Sequence, residues 1–154
     1  MAKYMVVGNQ AVITSSYKTA AIATAAASSP RRGKVAEIII GASANPGGTD
    51  TYIQFDMSRQ TVAGTTTSVT PQAVDPADAA CSALGGSNAT AEGTITGGSS
   101  VFNDAINQRG TMRWIETDES KMLIWPATAS NGCALRAQSS TYVGSVTAQI
   151  GFLE

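Results

Sequence analysis

The chain contains no histidine. Histidine is the commonest general base and metal ligand near neutral pH, so most familiar hydrolase and metalloenzyme constellations are excluded. Charge is scarce as well: 14% of residues are Asp, Glu, Lys or Arg, and the net charge is −1. A nucleic-acid arm needs clustered Lys and Arg, which this balance does not supply. No segment reaches the roughly 20 apolar residues that cross a bilayer, so no membrane partner is expected. The first seven residues lack a long apolar stretch and a cleavage site, and no signal peptide is read there. Two cysteines without a histidine make a zinc site unexpected. Cys81 and Cys133 lie in unlike contexts and are read as free thiols in preference to a disulfide.

What remains is Ala, Thr, Ser and Gly, set in short segments separated by turn residues. A length of 154 residues is one domain's worth and can bury a real core. Residues 34–41 contain the β-branched run Ile38-Ile39-Ile40, followed by the turn Asn45-Pro46-Gly47-Gly48. From Tyr52 onward the chain alternates. Ile53, Phe55 and Met57 point to a core, with Tyr52, Gln54, Asp56 and Ser58 on a wet face. Residues 65–70 are β-branched and stop at Pro71; residues 85–98 read as loop with a weak strand inside. The strand signals return at 111–117, 122–125, 133–138 and 146–152, and Asn131-Gly132 is the strongest local turn signal. Residues 19–27 are alanine-rich and suit a helix, yet their surroundings favour a strand or extended arm.

Short strands spaced by Gly, Pro and Asn predict an all-β antiparallel sandwich of about eight strands. A jelly roll fits that count better than an immunoglobulin-like sandwich. Residues 1–30 form an N-terminal arm or the first strands, and residues 31–154 the sandwich, within a single domain.

Few groups could carry chemistry. Glu116, Asp118 and Glu119 read as a solvated hairpin turn ahead of a catalytic pair or a calcium site. Asp75 and Asp78 read as caps of one short helical turn over 75–80. Arg31-Arg32-Gly33-Lys34 is the only basic run; it suits a solvated strand entry or a protein interface. Trp114 and Trp125 are expected as neighbours across a hairpin, with Arg113 beside them. Asn88-Ala89-Thr90 fits a glycosylation sequon and reads as plain loop sequence. No serine has a base, and no nucleotide fingerprint is present, so no enzyme, cofactor or metal is expected.

Several strings carry a resemblance. They are Ser29-Pro30-Arg31-Arg32-Gly33-Lys34, Phe55-Asp56-Met57-Ser58-Arg59-Gln60-Thr61 and Val69-Thr70-Pro71-Gln72 leading to Asp75-Pro76-Ala77-Asp78-Ala79-Ala80. Asn107-Gln108-Arg109-Gly110-Thr111-Met112-Arg113-Trp114 and Pro126-Ala127-Thr128-Ala129-Ser130-Asn131-Gly132 belong with them. Together these resemble the capsid cement, or decoration, proteins of tailed bacteriophages. The resemblance implies a protein made in the host cytoplasm and placed on the outer capsid surface of the virion. It implies the major capsid protein as partner, an acidic shell beneath, and self-association, as a trimer ahead of a dimer. On that reading Arg31, Arg32, Arg59, Pro71, Asp75, Asp78, Arg109, Arg113 and Trp114 are the candidates for capsid or self contacts. The alternatives are a phage tail or fibre module that binds host glycans, and a polysaccharide-degrading enzyme. The glycan reading would be favoured by two solvent-facing Trp side chains in one groove.

Overall fold

The computed structural model describes residues 1–154. Every regular element is a strand, and there is no helix. In chain order they are β1 (Lys3–Gln10), β2 (Lys18–Thr24), β3 (Gly33–Ala42), β4 (Tyr52–Val62), β5 (Thr65–Val69) and β6 (Gln72–Ala73). Then come β7 (Leu84–Ala91), β8 (Thr94–Asn107), β9 (Thr111–Ile115), β10 (Leu123–Trp125), β11 (Gly132–Gln138) and β12 (Val146–Leu153). They form two antiparallel six-stranded sheets packed as a sandwich. The first has the order β10-β3-β12-β1-β6, with β9 also on β3; the second has β5-β7-β2-β11-β4-β8.

The pairing is nested. β1 pairs with β12, β2 with β11, β3 with β9 and β10, and β4 with β8. Successive pairs belong to alternate sheets. This frame has the eight positions that the sequence predicts. The count rises to twelve because β5, β6 and β7 are added and because one edge position is split into β9 and β10. Residues 1–30 supply β1 and β2, which lie inside the two sheets with neighbours on both sides.

The core follows the alternation. Ile53, Phe55 and Met57 of β4 meet Val146, Ala148, Ile150 and Phe152 of β12 in one buried cluster. Trp125 is fully buried and stands edge-on to Phe152 at 5.1 Å. Gly33 is required opposite it, because a Cβ there would lie 2.0 Å from the indole ring. The alanine-rich segment folds as a central strand despite its helix propensity. The sheets come close at this point: a Cβ on Gly8 would sit 2.4 Å from the Ala20 carbonyl oxygen and 2.9 Å from the Ala21 Cβ. Only small side chains fit there, and tertiary packing overrides local preference.

Other expectations are corrected. Residues 85–98 are not loop but all of β7 after its first residue, a turn and the start of β8. The glycine-rich sequence conceals the strand because Gly85 and Gly86 lie against Val69, Thr66 and Ile22, where a larger side chain has no room. Asn88 of the sequon therefore sits in β7, at a φ of 50°, and its Oδ1 accepts from the Ala11 N–H at 3.0 Å. The β-branched run before Pro71 does form a strand, β5, and β6 follows it at Gln72–Ala73. Residues 75–80 make no helical turn. The Asp75 side chain accepts from the Ala77 N–H at 2.9 Å and its carbonyl from the Asp78 N–H at 3.0 Å, closing a local turn that goes no further. Trp114 and Trp125 do not face each other across a hairpin, since β9 and β10 follow one another along the same edge of β3. Trp114 packs instead on Phe102, with ring centroids 6.4 Å apart.

Deleting a large core side chain should be costly. Phe55→Ala is expected to lower unfolding stability in denaturant by about 3–5 kcal/mol. Val143→Ala, at a residue 83% exposed, should change it by no more than about 0.5 kcal/mol.

Candidate functional site

Pro30 ends the segment after β2, and Gly33 begins β3 where Trp125 leaves no room for a side chain. Arg31 and Arg32 are therefore held on a short ledge at one end of the sandwich, and both are exposed. Arg59 reaches the same end from the far part of β4. Its Nε donates to the Ile124 carbonyl at 3.1 Å, crossing from the second sheet to β10 of the first. Next to the ledge, Lys34 is paired with Glu119. Arg31 lies 3.7 Å from Glu154. Arg32 and Arg59 have no carboxylate within ion-pair distance.

Glu154 fastens the neighbouring loop to the end of β12. Its carboxylate is almost fully buried and accepts from the Ser82 N–H at 3.1 Å, the Ala83 N–H at 3.0 Å and the Cys81 thiol at 3.0 Å. The Ser82 hydroxyl donates to it as well. Burial pushes this carboxyl up, but the hydrogen bonds outweigh burial and hold it below the usual range. Burial, reinforced by the hydrogen bond to and the charge of Glu154, pushes the Cys81 thiol up to about 12. Tyr4 Oη donates to the Ala79 carbonyl at 2.8 Å and pins the loop a second time. The arginine ledge thus borders a clamped loop that carries exposed Asp75 and half-buried Asp78.

The remaining candidates are elsewhere. Pro71 is buried between β5 and β6 and offers no contact surface. Arg109 is at the opposite end of the sandwich, bonded to Asp50 at 2.7 Å and to the Gly47 carbonyl at 2.8 Å. Arg113 lies on the outer face of the first sheet with Glu37, at 2.5 Å. Trp114 is half-buried in the seam between β8 and β9, and Trp125 is inaccessible, so the two tryptophans form no groove. Glu116, Asp118 and Glu119 lie in the excursion between β9 and β10 and not in a hairpin; Asp118 and Glu119 are exposed there. No group of three or more His, Cys, Asp or Glu is placed to hold a metal.

Two charge clusters escaped the reading of the sequence. Asp56 and Ser58, expected on a wet face, are each 2% exposed. Asp56 accepts from Arg136 at 2.5 Å, Ser58 at 2.7 Å and Ser100 at 2.5 Å, and Arg136 lies 4.7 Å under the Tyr17 ring. On the other sheet Glu37 is 3% exposed, between Lys3 at 2.6 Å and Arg113. In both carboxyls burial pushes the pKa up, and the hydrogen bonds and cations reverse it to a value below the ordinary one. Glu37 had a signal: it is the one acid in an apolar strand. Asp56 had none, because its alternation is that of a solvated residue. Cys133 is fully buried and pushed up to about 12, so neither thiol is a ready nucleophile.

No family model, curated protein or solved structure matches this chain.

Depressed carboxyls favour the folded state above the unfolded carboxylate range, about pH 4, and that contribution drains as pH falls through the folded values. Asp56→Asn should therefore be least stable relative to wild type at pH 7, with the gap closing toward about pH 2 in thermal melts. Glu154→Gln should speed amide hydrogen exchange across residues 79–83 and leave the β3 core amides unchanged, because it weakens only the latch.

Proposed function

We propose that this chain is a non-enzymatic structural protein of a tailed-phage virion, which decorates the outer capsid surface and bridges major capsid protein subunits. The observation that carries the reading is the arginine ledge. Arg31, Arg32 and Arg59 are presented together on a rigid end, and two of them have no carboxylate partner within the chain. Exposed arginines without partners are suited to charge-assisted contacts with an acidic protein surface. The resemblance of the Arg31 and Arg59 strings to cement proteins points the same way.

The nested pairing supports reading the sandwich as a jelly roll, an architecture that recurs in viral capsid domains. The chain's buried acids are committed to structure: Glu37, Asp56 and Glu154 are held in ion pairs or hydrogen bonds. Self-association as a trimer ahead of a dimer belongs to the same proposal, since a thin decoration protein gains contacts by sitting on a local symmetry axis.

The test is particle occupancy of an Arg31→Ala, Arg32→Ala double variant that folds normally. Losing one partner of a desolvated charge pair costs about 2–5 kcal/mol per site, so occupancy and particle heat stability should fall together. Occupancy equal to wild type would place the contact elsewhere.

A further inference from the structure

The end opposite the arginine ledge carries the largest cavity. It has a volume of about 680 Å³ and is lined by Thr49, Asp50, Tyr52, Ile106, Asn107 and Thr141, among others. A second cavity of about 380 Å³ lies beside it and shares Thr49, Thr51 and Thr141 in its lining. Tyr52 is 52% exposed, a large aromatic left in solvent at the groove mouth. The register sets Asn107 directly opposite it.

The groove walls are fixed. Buried Gln108 donates from Nε2 to the Thr49 carbonyl at 2.7 Å and accepts from the Thr51 hydroxyl at 3.1 Å. Arg109 ties Asp50 to the Gly47 carbonyl, and the Ser139 hydroxyl holds the Tyr52 carbonyl at 2.7 Å. From Tyr52 the outer face of the second sheet continues as a row of oriented amides. Gln138 Nε2 donates to Gln54 Oε1 at 2.7 Å, Gln54 Nε2 to Asn103 Oδ1 at 2.8 Å, and Asn103 Nδ2 to Tyr17 Oη at 3.1 Å. The row is uncharged. Asp50 is paired with Arg109 and Asp56 with Arg136, while Asp104 and Lys18, next to Asn103 and Tyr17 in sequence, form no ion pair and carry opposite charges, so the face has no net charge.

We propose that this groove binds a neutral oligosaccharide, with the Tyr52 ring as stacking platform and the Gln54–Asn103 amide row reading hydroxyls beside it. A pyranose has an apolar C–H face and a rim of hydroxyls. The electron-rich face of a tyrosine suits the first. Fixed amides, which both donate and accept, suit the second. A polyanion finds no net positive charge here, and an apolar peptide side chain finds no deep pocket. Because the walls are already ordered, little entropy is lost on binding.

The experiment is titration of the full chain, followed by amide NMR, with neutral hexasaccharides of glucose, galactose, mannose and N-acetylglucosamine. A heparin-derived hexasaccharide serves as polyanionic control. At least one neutral sugar should shift the signals of Tyr52, Gln54 and Asn107 saturably. Tyr52→Ala should weaken that sugar about tenfold, and Tyr52→Phe should keep most of the affinity, since the ring supplies the contact. Tyr52 is half-exposed, and the same spectra report whether each variant is folded. The proposal is overturned if no neutral sugar binds, if only the polyanion binds, or if folded Tyr52→Ala binds as wild type does. Loss of capsid occupancy has no bearing on it, because the arginine ledge lies at the other end.

Discussion

The pairing of the first strand with the last organises everything else. β1 and β12 run side by side from Lys3 against Leu153 to Gln10 against Val146, and Ala2 and Glu154 exchange two further backbone bonds of 3.1 Å. With the ends closed, each inner pair of strands nests within the one before it. Such contacts are remote in sequence, and their loop-closure cost must be recovered by burial. The recovery is visible in β12, where Val146, Ala148, Ile150 and Phe152 are all fully buried. The same closure delivers Glu154 to the loop at 81–83 and to Arg31, so the arginine ledge depends on it.

Each sheet also buries a carboxylate on its outer face, away from the core. Glu37 lies between Lys3 and Arg113, and Asp56 lies under Arg136 and two serine hydroxyls. An isolated buried charge would be strongly unfavourable. Here each acid has a cation and hydrogen bonds, and both pKa values lie below the ordinary range, so favourable contacts outweigh desolvation. Such pairs fix which strands are neighbours: Asp56 and Arg136 stand directly opposite in the β4–β11 register.

The molecule is polar in the geometric sense. Tyr52 and Arg59 are seven residues apart on β4, about 23 Å of extended strand. One end presents unpaired guanidinium groups. The other presents an aromatic ring and neutral amides. A body anchored to an acidic surface by the first end leaves the second facing solvent, so the two proposals make compatible demands on one rigid frame.

Alternation and turn chemistry are local properties, and they determined the all-β sandwich and most core residues by themselves. Ile53, Phe55 and Met57, and the β12 set, could be read directly because a strand's period of two survives any tertiary arrangement. The basic string at Arg31 and Arg32 was equally plain. Tertiary structure alone decided what depends on partners far along the chain. Glycines at 85 and 86 read as loop until neighbouring strands explained their size. The tryptophans looked adjacent until β3 was found to take β9 and β10 in turn along one edge. Asp56 looked solvated until Arg136, eighty residues later, covered it. Arg109 and Arg113 were contact candidates alongside Arg31, and only the fold shows that they lie at the opposite end and on an outer face. The reason is physical: sequence encodes which face a residue prefers, whereas long-range pairing chooses which residues share that face.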